Sequence, residues 1–342
     1  MTDLVTSDID LGDVEAADRP ERPDTNELLE AHRRELTAHC YRMLGSPFDA
    51  EDAVQETMVR AWRAIDRFDG RSSLRSWLYR IATNVCFDSL NGRKRRALPM
   101  DLSTASPPVQ ASLGVPLGEG TWLEPVPDGQ VLPESGDPAD VLVAKESVRL
   151  AFVAALQHLP AKQRAVLILR EVLRWKADEV AQLLGTSVAS VNSALQRARA
   201  TMASKELTIA GASADPMDAE HSALLARYVQ AFEAYDIESL VALLHEDATQ
   251  SMPPFALWLS GPVDIGRWAL GPGAECRGSK LVPVAANGSA AFAQYRRDPD
   301  GGDRIPFSIH VLQVSEGRVI GITNFVDRRL FALFGLPDRL PG

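Results

Sequence analysis

The chain has 342 residues, 45% of them apolar and 24% charged, an ordinary soluble composition with length for two or three domains at roughly 150 residues each. A net charge of −10 excludes a uniformly basic nucleic-acid binder, and no apolar run reaches the roughly 20 residues of a membrane helix. The acidic start MTDLVTSDIDLGDVEAADRPERPD has no basic-then-apolar leader. Cys40, Cys86 and Cys276 are too scattered for a disulfide framework or a CxxC zinc site, so a reducing cytoplasm and no metal are expected.

The total charge hides an alternation. Residues 1–26 carry a net −6, 27–96 a net +3, 97–144 a net −7, 145–207 a net +5 and 208–342 a net −5. Salt limits charge interactions to about 10 Å, so two modestly basic segments can attract phosphate even in an acidic protein.

Residues 1–26 are expected to be a disordered acidic tail. From 27 to 96 the periodicity is helical. Leu29, Leu36, Cys40, Met43 and Leu44 share one face. Val54, Met58, Ala61, Trp62 and Ile65 mark the apolar stripe of a second helix, with Pro47 stopping the first and Asp49 as N-cap. A third helix from about Ser73 to Leu90 would bury Leu74, Trp77, Leu78, Ile81 and Val85. Its outward face would show Ser76, Tyr79, Arg80, Thr83 and Phe87, with Asn84 beside them, before the basic run Arg93-Lys94-Arg95-Arg96.

Residues 97–144 hold eight prolines, five glycines and no Lys or Arg. No period survives there, and an extended acidic linker with Trp122 as its landmark is expected. Helical pattern returns over 145–207. In KADEVAQLLGTSVASVNSALQRARATM, Ala181 is small where helices cross, Gly185 turns the chain and Val191 anchors a second helix, the spacing of a helix-turn-helix. A plain helical hairpin is the bland alternative. Residues 208–218 form a short linker. Two amphipathic helices follow, ending near Leu244, then a short helix near Ile265–Leu270 and four strand-like runs broken by NG, DGG and EG turns. Helices first and an antiparallel sheet after them give an α+β unit over 219–342.

These motifs, in this order, resemble a bacterial sigma factor of the sigma-70 family's extracytoplasmic function type. DAEDAVQETMVRAW (49–62) is similar to the helix that binds core polymerase, and FDGRSSLRSWLYRIATNVCFDSL (68–90) to the segment that melts and reads the −10 element. LPAKQRAVLILREVL (159–173) and the helix-turn-helix resemble the domain that reads the −35 element. The C-terminal segment is similar to SnoaL-like (NTF2-like) domains. Together with WLEP and the ending FALFGLPDRL, it resembles the sigma-G type of such factors. The implied fold is multidomain: two all-α domains, sigma region 2 and helix-turn-helix sigma region 4, plus an α+β NTF2-like cone.

The resemblance implies residue roles. Asp49, Glu51, Asp52, Gln55 and Glu56 would meet the clamp helices of the polymerase large subunit, and region 4 would meet the −35-proximal flap. Phe68, Arg71, Ser72 and Ser73 would hold a flipped −10 base, and Tyr79, Arg80, Thr83, Asn84 and Phe87 would stack on or bond unpaired bases. Arg93, Lys94, Arg95 and Arg96 would hold phosphates. Ser187, Asn192, Ser193, Gln196, Arg197 and Arg199 would face the −35 groove. Asn192 and Ala194 stand where many relatives have a basic residue near this point, so the −35 preference is altered.

Neither a cofactor nor catalysis is expected. His245, Asp247 and His310 are the only acid–base candidates in the C-terminal unit, the first two placed at a helix end where capping is the simpler role. A regulatory role there, with an unknown small ligand in the pocket, fits better. The loop DPDGGDR (298–304) resembles a DGG-type loop in one group of such factors, a candidate contact of that unit, with a solvent-exposed hairpin turn as the bland alternative. The competing function is a ligand-responsive helix-turn-helix regulator working without core polymerase; it would not need the 49–96 motifs.

Overall fold

The computed structural model describes residues 25–203 and 219–342. The expected tail, apart from its last two residues, and the 208–218 linker lie outside them.

The first unit is helical: α1 (Thr25–Glu30), α2 (Arg33–Leu44), α3 (Pro47–Ala64) and α4 (Leu74–Leu90). Three consecutive residues make the corner between α2 and α3. Gly45 takes a left-handed φ of 74° and its N–H bonds the Tyr41 carbonyl. Ser46 caps α3 by accepting from Asp49 N–H at 3.3 Å, and Pro47 supplies a preset φ where no N–H is needed. The cap is therefore Ser46, not Asp49, whose side chain is left for another task. Leu36, Cys40, Met43, Val54, Ala61, Leu78, Ala82 and Cys86 close the core. Trp62 does not join it: it is 61% exposed, because Ala61 already fills the buried position one step back along the helix.

The second helical unit comprises α7 (Leu150–Gln157), α8 (Ala161–Leu167) with a π turn at Ile168–Val172, α9 (Ala177–Leu183) and α10 (Val188–Ala203). Gly185, at φ 60°, turns α9 into α10. Val180, Ala181, Val191, Leu195 and Ala198 pack the pair against α8. This unit does not stand apart. One continuous apolar core runs from Leu36 through Leu78 to Leu195; α2 touches α7 and α8, and α4 touches α8 and α9. Two guanidiniums are buried along the join. Arg42 donates to Ser147 Oγ at 3.0 Å, and Arg164 donates to the Met43 carbonyl and to Gln157 Oε1 at 2.8 Å. Burial pushes both down to about 10.

The intervening segment is not an extended linker. It carries α5 (Asp128–Val131) and α6 (Pro138–Glu146) as well as short 3₁₀ turns. Trp122, Leu123 and Val126 are buried, and Ala97 bridges to Trp122. The helical period was invisible because α6 is short and the apolar anchors are single residues between prolines. This strap has no basic residue of its own, and its acids find arginines elsewhere: Glu134 with Arg34 at 2.6 Å, Glu124 with Arg96 at 3.3 Å, Asp140 with Arg174 at 3.3 Å and Glu119 with Arg329 at 3.0 Å.

In the third unit, α11 (Ala219–Ala234), α12 (Ile237–Ala242) and α13 (Pro262–Leu270) cover a six-stranded sheet. Its strands are β1 (Leu244–Ser251), β2 (Trp258–Ser260), β3 (Lys280–Ala286), β4 (Ser289–Arg297), β5 (Arg304–Ser315) and β6 (Arg318–Phe325), in the order β2-β1-β6-β5-β4-β3. Only β1 and β6 are parallel. Alternation divides each strand. Phe292 and Leu312 pack with Tyr228 and Trp268 on the helix side. Ala291, Ala293, Tyr295, Ile309 and Val311 pack on the other side with Leu330 and Phe331 of α14 (Arg329–Leu333), Leu150 of α7 and Phe48 of α3. His245 and Asp247 lie on β1 rather than at a helix end; β1 and β2 were hidden by polar, irregular sequence.

The buried His39 anchors a prediction. Its Nε2 meets Thr83 Oγ1 at 3.0 Å, its Nδ1 has no partner, and burial beside Arg42 pushes its pKa down to about 3. The unfolded chain, with a pKa near 6.5, binds the proton first, so stability is intact above that value and is lost as pH falls from there toward 3. Between pH 7 and pH 5 the protein should lose about 2 kcal/mol more stability than His39→Gln, measured by urea unfolding. Equal losses would place His39 outside the acid-sensitive core.

Candidate polymerase and promoter surfaces

Helix α3 turns five polar residues in two directions. Asp52, Gln55 and Glu56 are exposed, and at spacings of three and four they share a face with Val59 (41% exposed) and Trp62. Glu56 is held by Arg60 at 2.7 Å, and Glu51 by Arg33 at 3.2 Å and by Gln55. Asp49 points back into the protein, paired with Arg96 at 2.7 Å and Arg93 at 3.2 Å. The sequence placed Trp62 in the core and so missed the apolar half of this surface; apolar residues four and seven places beyond Gln55 were the available signal.

The loop before α4 is open. Arg71, Ser72 and Ser73 are exposed. The Asp69 carboxylate takes the Arg71 side chain and its N–H, and Ser73 caps α4 by accepting from Ser76 N–H at 3.1 Å. Phe68 leans on Trp77, ring centres 5.2 Å apart. Arg80 and Asn84 are exposed on α4, but Tyr79 and Thr83 are wholly buried and Phe87 is half-buried. This corrects the expected outward face. Tyr79 lies between His39 and Trp175, each ring 5.1 Å away, and its hydroxyl donates to Glu35 at 3.2 Å. The helix is covered on two sides, by α2 and by the second helical unit, so one stripe of α4 no longer suffices for burial.

The basic run is also largely engaged. Arg96, with a side chain only 10% exposed, holds Asp49 and Glu124 and donates to the Trp122 carbonyl at 2.6 Å. Arg95 reaches His158, which in turn meets Asp101 at 3.2 Å, and Arg93 shares Asp49. Lys94 is exposed. Arg96 is thus a structural clasp rather than a phosphate contact.

On α10, Ser187 caps the helix by accepting from Ser190 N–H at 3.2 Å. Asn192, Ser193, Gln196, Arg197 and Arg199 are exposed along one side while Val191, Leu195, Ala198 and Met202 pack on the other. Arg197 rests on Ser193 Oγ at 2.6 Å, and Arg199 on Glu171. Outward amides and a guanidinium at helical spacing can bond base edges in a major groove.

His310 lines the internal cavity of the third unit; His245 and Asp247 do not. His245, Glu246 and Asp247 form the one metal-capable grouping among the described residues, and it is a contiguous, mostly exposed stretch of β1. The 298–304 loop folds against its own C-terminus: Asp298 takes Arg339 at 2.9 Å, and Arg304 exchanges backbone bonds with Leu340. Beside the sheet-face packing of Leu150 and Phe48, the helical units are reached instead by the β3–β4 turn. Asn287 is fully buried there, donating to Tyr41 Oη at 2.6 Å and to the Val148 carbonyl at 2.7 Å, and accepting from Val126 N–H at 3.0 Å. No sequence signal distinguished this Asn-Gly from an ordinary solvent-facing turn.

Three family descriptions match the chain in this order: Sigma-70 region 2 over 28–96, Sigma-70 region 4 over 149–202 and a SnoaL-like domain over 225–322. The chain belongs to the ECF sigma factors, which are transcription initiation factors and not enzymes. The region 2 match decides against a regulator that works without core polymerase. Among its relatives is the ECF RNA polymerase sigma factor SigG of Mycobacterium tuberculosis, 48% identical over 325 residues, which cover 93% of this chain and 85% of that one. SigJ of the same organism is 32% identical over 222 residues, 65% of this chain and 62% of that one. The crystal structure of M. tuberculosis SigJ shares the fold at a TM-score of 0.60 and 23% identity, covering 91% of this chain and all of that one. No helix among the described residues is long and apolar enough to cross a membrane.

The Arg96 clasp yields a stability test. Arg96→Ala leaves Asp49 and the buried Glu124 without their main counter-charge, and breaking such a pair costs about 3 kcal/mol. Urea unfolding should show that loss. A variant of unchanged stability with a shallower salt dependence of DNA binding would restore the phosphate role.

Proposed function

We propose that this sigma factor alternates between the closed arrangement described above and an open one that engages polymerase and promoter. One observation carries the reading: α4 and the helix-turn-helix unit share a core, with Tyr79 against Trp175. Promoter elements about 17 base pairs apart lie roughly 58 Å from each other at 3.4 Å per step. Two DNA readers packed together cannot occupy both. The strap gives the reach once its anchors release, since 48 residues extend beyond roughly 150 Å.

In the open form, Asp52, Gln55, Glu56, Val59 and Trp62 dock on a basic, partly apolar surface of the polymerase clamp helices, and region 4 sits on the flap. Charges there set orientation and on-rate, and the buried Trp supplies affinity. Phe68, Arg71, Ser72, Ser73, Arg80 and Asn84 take the unpaired −10 strand, with Lys94 on the backbone. Separation from Trp175 adds Tyr79 to that face. Asn192, Gln196 and Arg197 read the −35 groove. A cytoplasmic location, alongside the polymerase, goes with this reading.

The C-terminal unit acts in cis as the latch of the closed form, through Asn287. Tethering keeps such a contact at an effective concentration near millimolar, so a modest interface is populated.

Two experiments test the reading. Asn287→Ala leaves a phenol, a carbonyl and an N–H short of a partner, each worth about 1–3 kcal/mol when buried. Run-off transcription with limiting sigma factor and core polymerase should rise about tenfold or more, and the radius of gyration should grow. No change in either would remove the latch. Separately, Asp52→Lys with Glu56→Lys should weaken core binding by several kcal/mol while helicity persists. Unchanged affinity would take α3 off the polymerase.

A further inference from the structure

The third unit encloses a cavity of about 250 Å³ between its helices and the concave face of the sheet. Aromatic side chains dominate the lining: Tyr228, Phe232, Tyr235, Trp268 and Phe307. Its polar groups form a chain whose directions can be worked out. Gln294 donates its amide to Ser279 Oγ at 2.9 Å, so its Oε1 is an acceptor. That oxygen accepts from Ser308 Oγ and from His310 Nε2, both at 2.9 Å. His310 then carries its proton on Nε2 and accepts at Nδ1 from the Tyr228 hydroxyl at 3.3 Å. Burial keeps that imidazole neutral, its pKa down to about 3. Every one of these groups is engaged within the protein.

One polar atom is left over. Asn324 sits on β6 opposite His310 of β5, is nine-tenths buried and lines the cavity; its Oδ1 has no hydrogen-bond partner. A buried acceptor without a donor is costly, and a ligand donor would satisfy it. The charged residues of the lining cancel: Glu275 and Arg296 pair at 2.7 Å, with Arg296 over the Phe307 ring at 4.5 Å. An ionised ligand would find no counter-charge inside.

The wall of this cavity is not built by the C-terminal unit alone. Gln110 and Leu113 of the strap line it, and Leu113 packs against that unit's core. Around them the strap is stitched down: Ser106 N–H donates to the Trp258 carbonyl at 2.8 Å, Leu117 N–H to the Pro254 carbonyl at 2.9 Å and Trp258 Nε1 to the Ser103 carbonyl at 3.0 Å.

We propose that this cavity binds an uncharged, flat, largely apolar molecule carrying one hydrogen-bond donor, which meets Asn324 Oδ1 while the strap residues Gln110 and Leu113 form one wall of the site. The cavity exists with Leu113 in place, so an occupant touches the strap only when it is docked. By linkage, the ligand favours the docked strap. Where the ligand represses transcription, that effect rests on the open–closed reading given above; binding and strap docking do not.

The test uses three probes on the full chain: 2-naphthol, naphthalene and 2-naphthoate, followed by calorimetry and by quenching of tryptophan fluorescence. 2-Naphthol should bind about tenfold more tightly than naphthalene, with 2-naphthoate weakest. Asn324→Leu should abolish the preference for 2-naphthol over naphthalene, and Leu113→Ala should weaken 2-naphthol several-fold. Hydrogen exchange over residues 103–117 should slow when 2-naphthol is added. Equal affinity of 2-naphthol and naphthalene for the unaltered protein, tighter binding of the anion, or strap exchange that 2-naphthol leaves unchanged would each overturn the proposal. None of these readouts depends on transcription, so a failure of the open–closed reading remains distinguishable.

Discussion

One buried carboxamide ties together all three folded units. Asn287 stands at the tip of a hairpin whose two turn residues both have positive φ, 55° for Asn287 and 61° for Gly288, the backbone geometry for which Asn-Gly is chosen. A turn of this kind projects its side chain and backbone clear of the strands. Here it enters a site formed by Tyr41 of α2, Val126 of the strap and Val148 just before α7, and Asn287 N–H also bonds the Val126 carbonyl at 3.1 Å. Next to it, Gly288 N–H donates to Asp128 at 2.7 Å, and a side chain at Gly288 would collide with Lys145. The amide is satisfied by three partners from three parts of the chain. All three bonds to the amide form only while the units are together, so the contact spans the molecule rather than being local.

Charge alternation along the sequence is the second organising feature, and the structure gives it a physical use. A segment with seven acids and no bases would repel itself if it were free. Laid against the others, it supplies a carboxylate to Arg34 and Arg96 of the first unit, Arg174 of the second and Arg329 of the third. The strap therefore occupies basic groups that would otherwise be open to phosphate. Burial pushes Glu124 up from the usual carboxylate range, opposed by Arg96 and Arg329. Its carboxylate is held by the arginines on either side rather than by water.

Much of this was legible in the sequence. The helix-turn-helix followed from Ala181, Gly185 and Val191, and the four long strands from their alternation and turns. What was lost shares a cause: it depended on contacts between units. Tyr79 and Thr83 fall on the outer stripe of an isolated α4, and only the second helical unit and His39 bury them. The basic run 93–96 looks solvated until the strap brings Glu124 and Asp101 to it. Trp62 reads as core, and Val59 goes unassigned, because apolarity in one sequence cannot distinguish an intramolecular face from one reserved for another protein. Asn287 was invisible for the same reason, since a turn declares its geometry but not its neighbours.

A latch of the kind proposed would have to hold without holding too well. Moving a population from 99:1 closed to 99:1 open takes about 5.5 kcal/mol, which a nanomolar partner worth about 12 kcal/mol can supply only if the closed contacts stay modest. Several features keep them so. The strap's ion pairs to Arg34 and Arg174 involve side chains well exposed to solvent, and such pairs contribute at most about 1 kcal/mol each. Arg42 and Arg164 are buried at the join with hydroxyl, amide and carbonyl partners and no carboxylate. Both guanidiniums regain water when the helical units part, and that rehydration opposes the apolar core they share. On the open–closed reading proposed above, the two unmatched buried guanidiniums offset part of the stabilisation from the shared apolar core, while the bonds of Asn287 fix one geometry for the closed form.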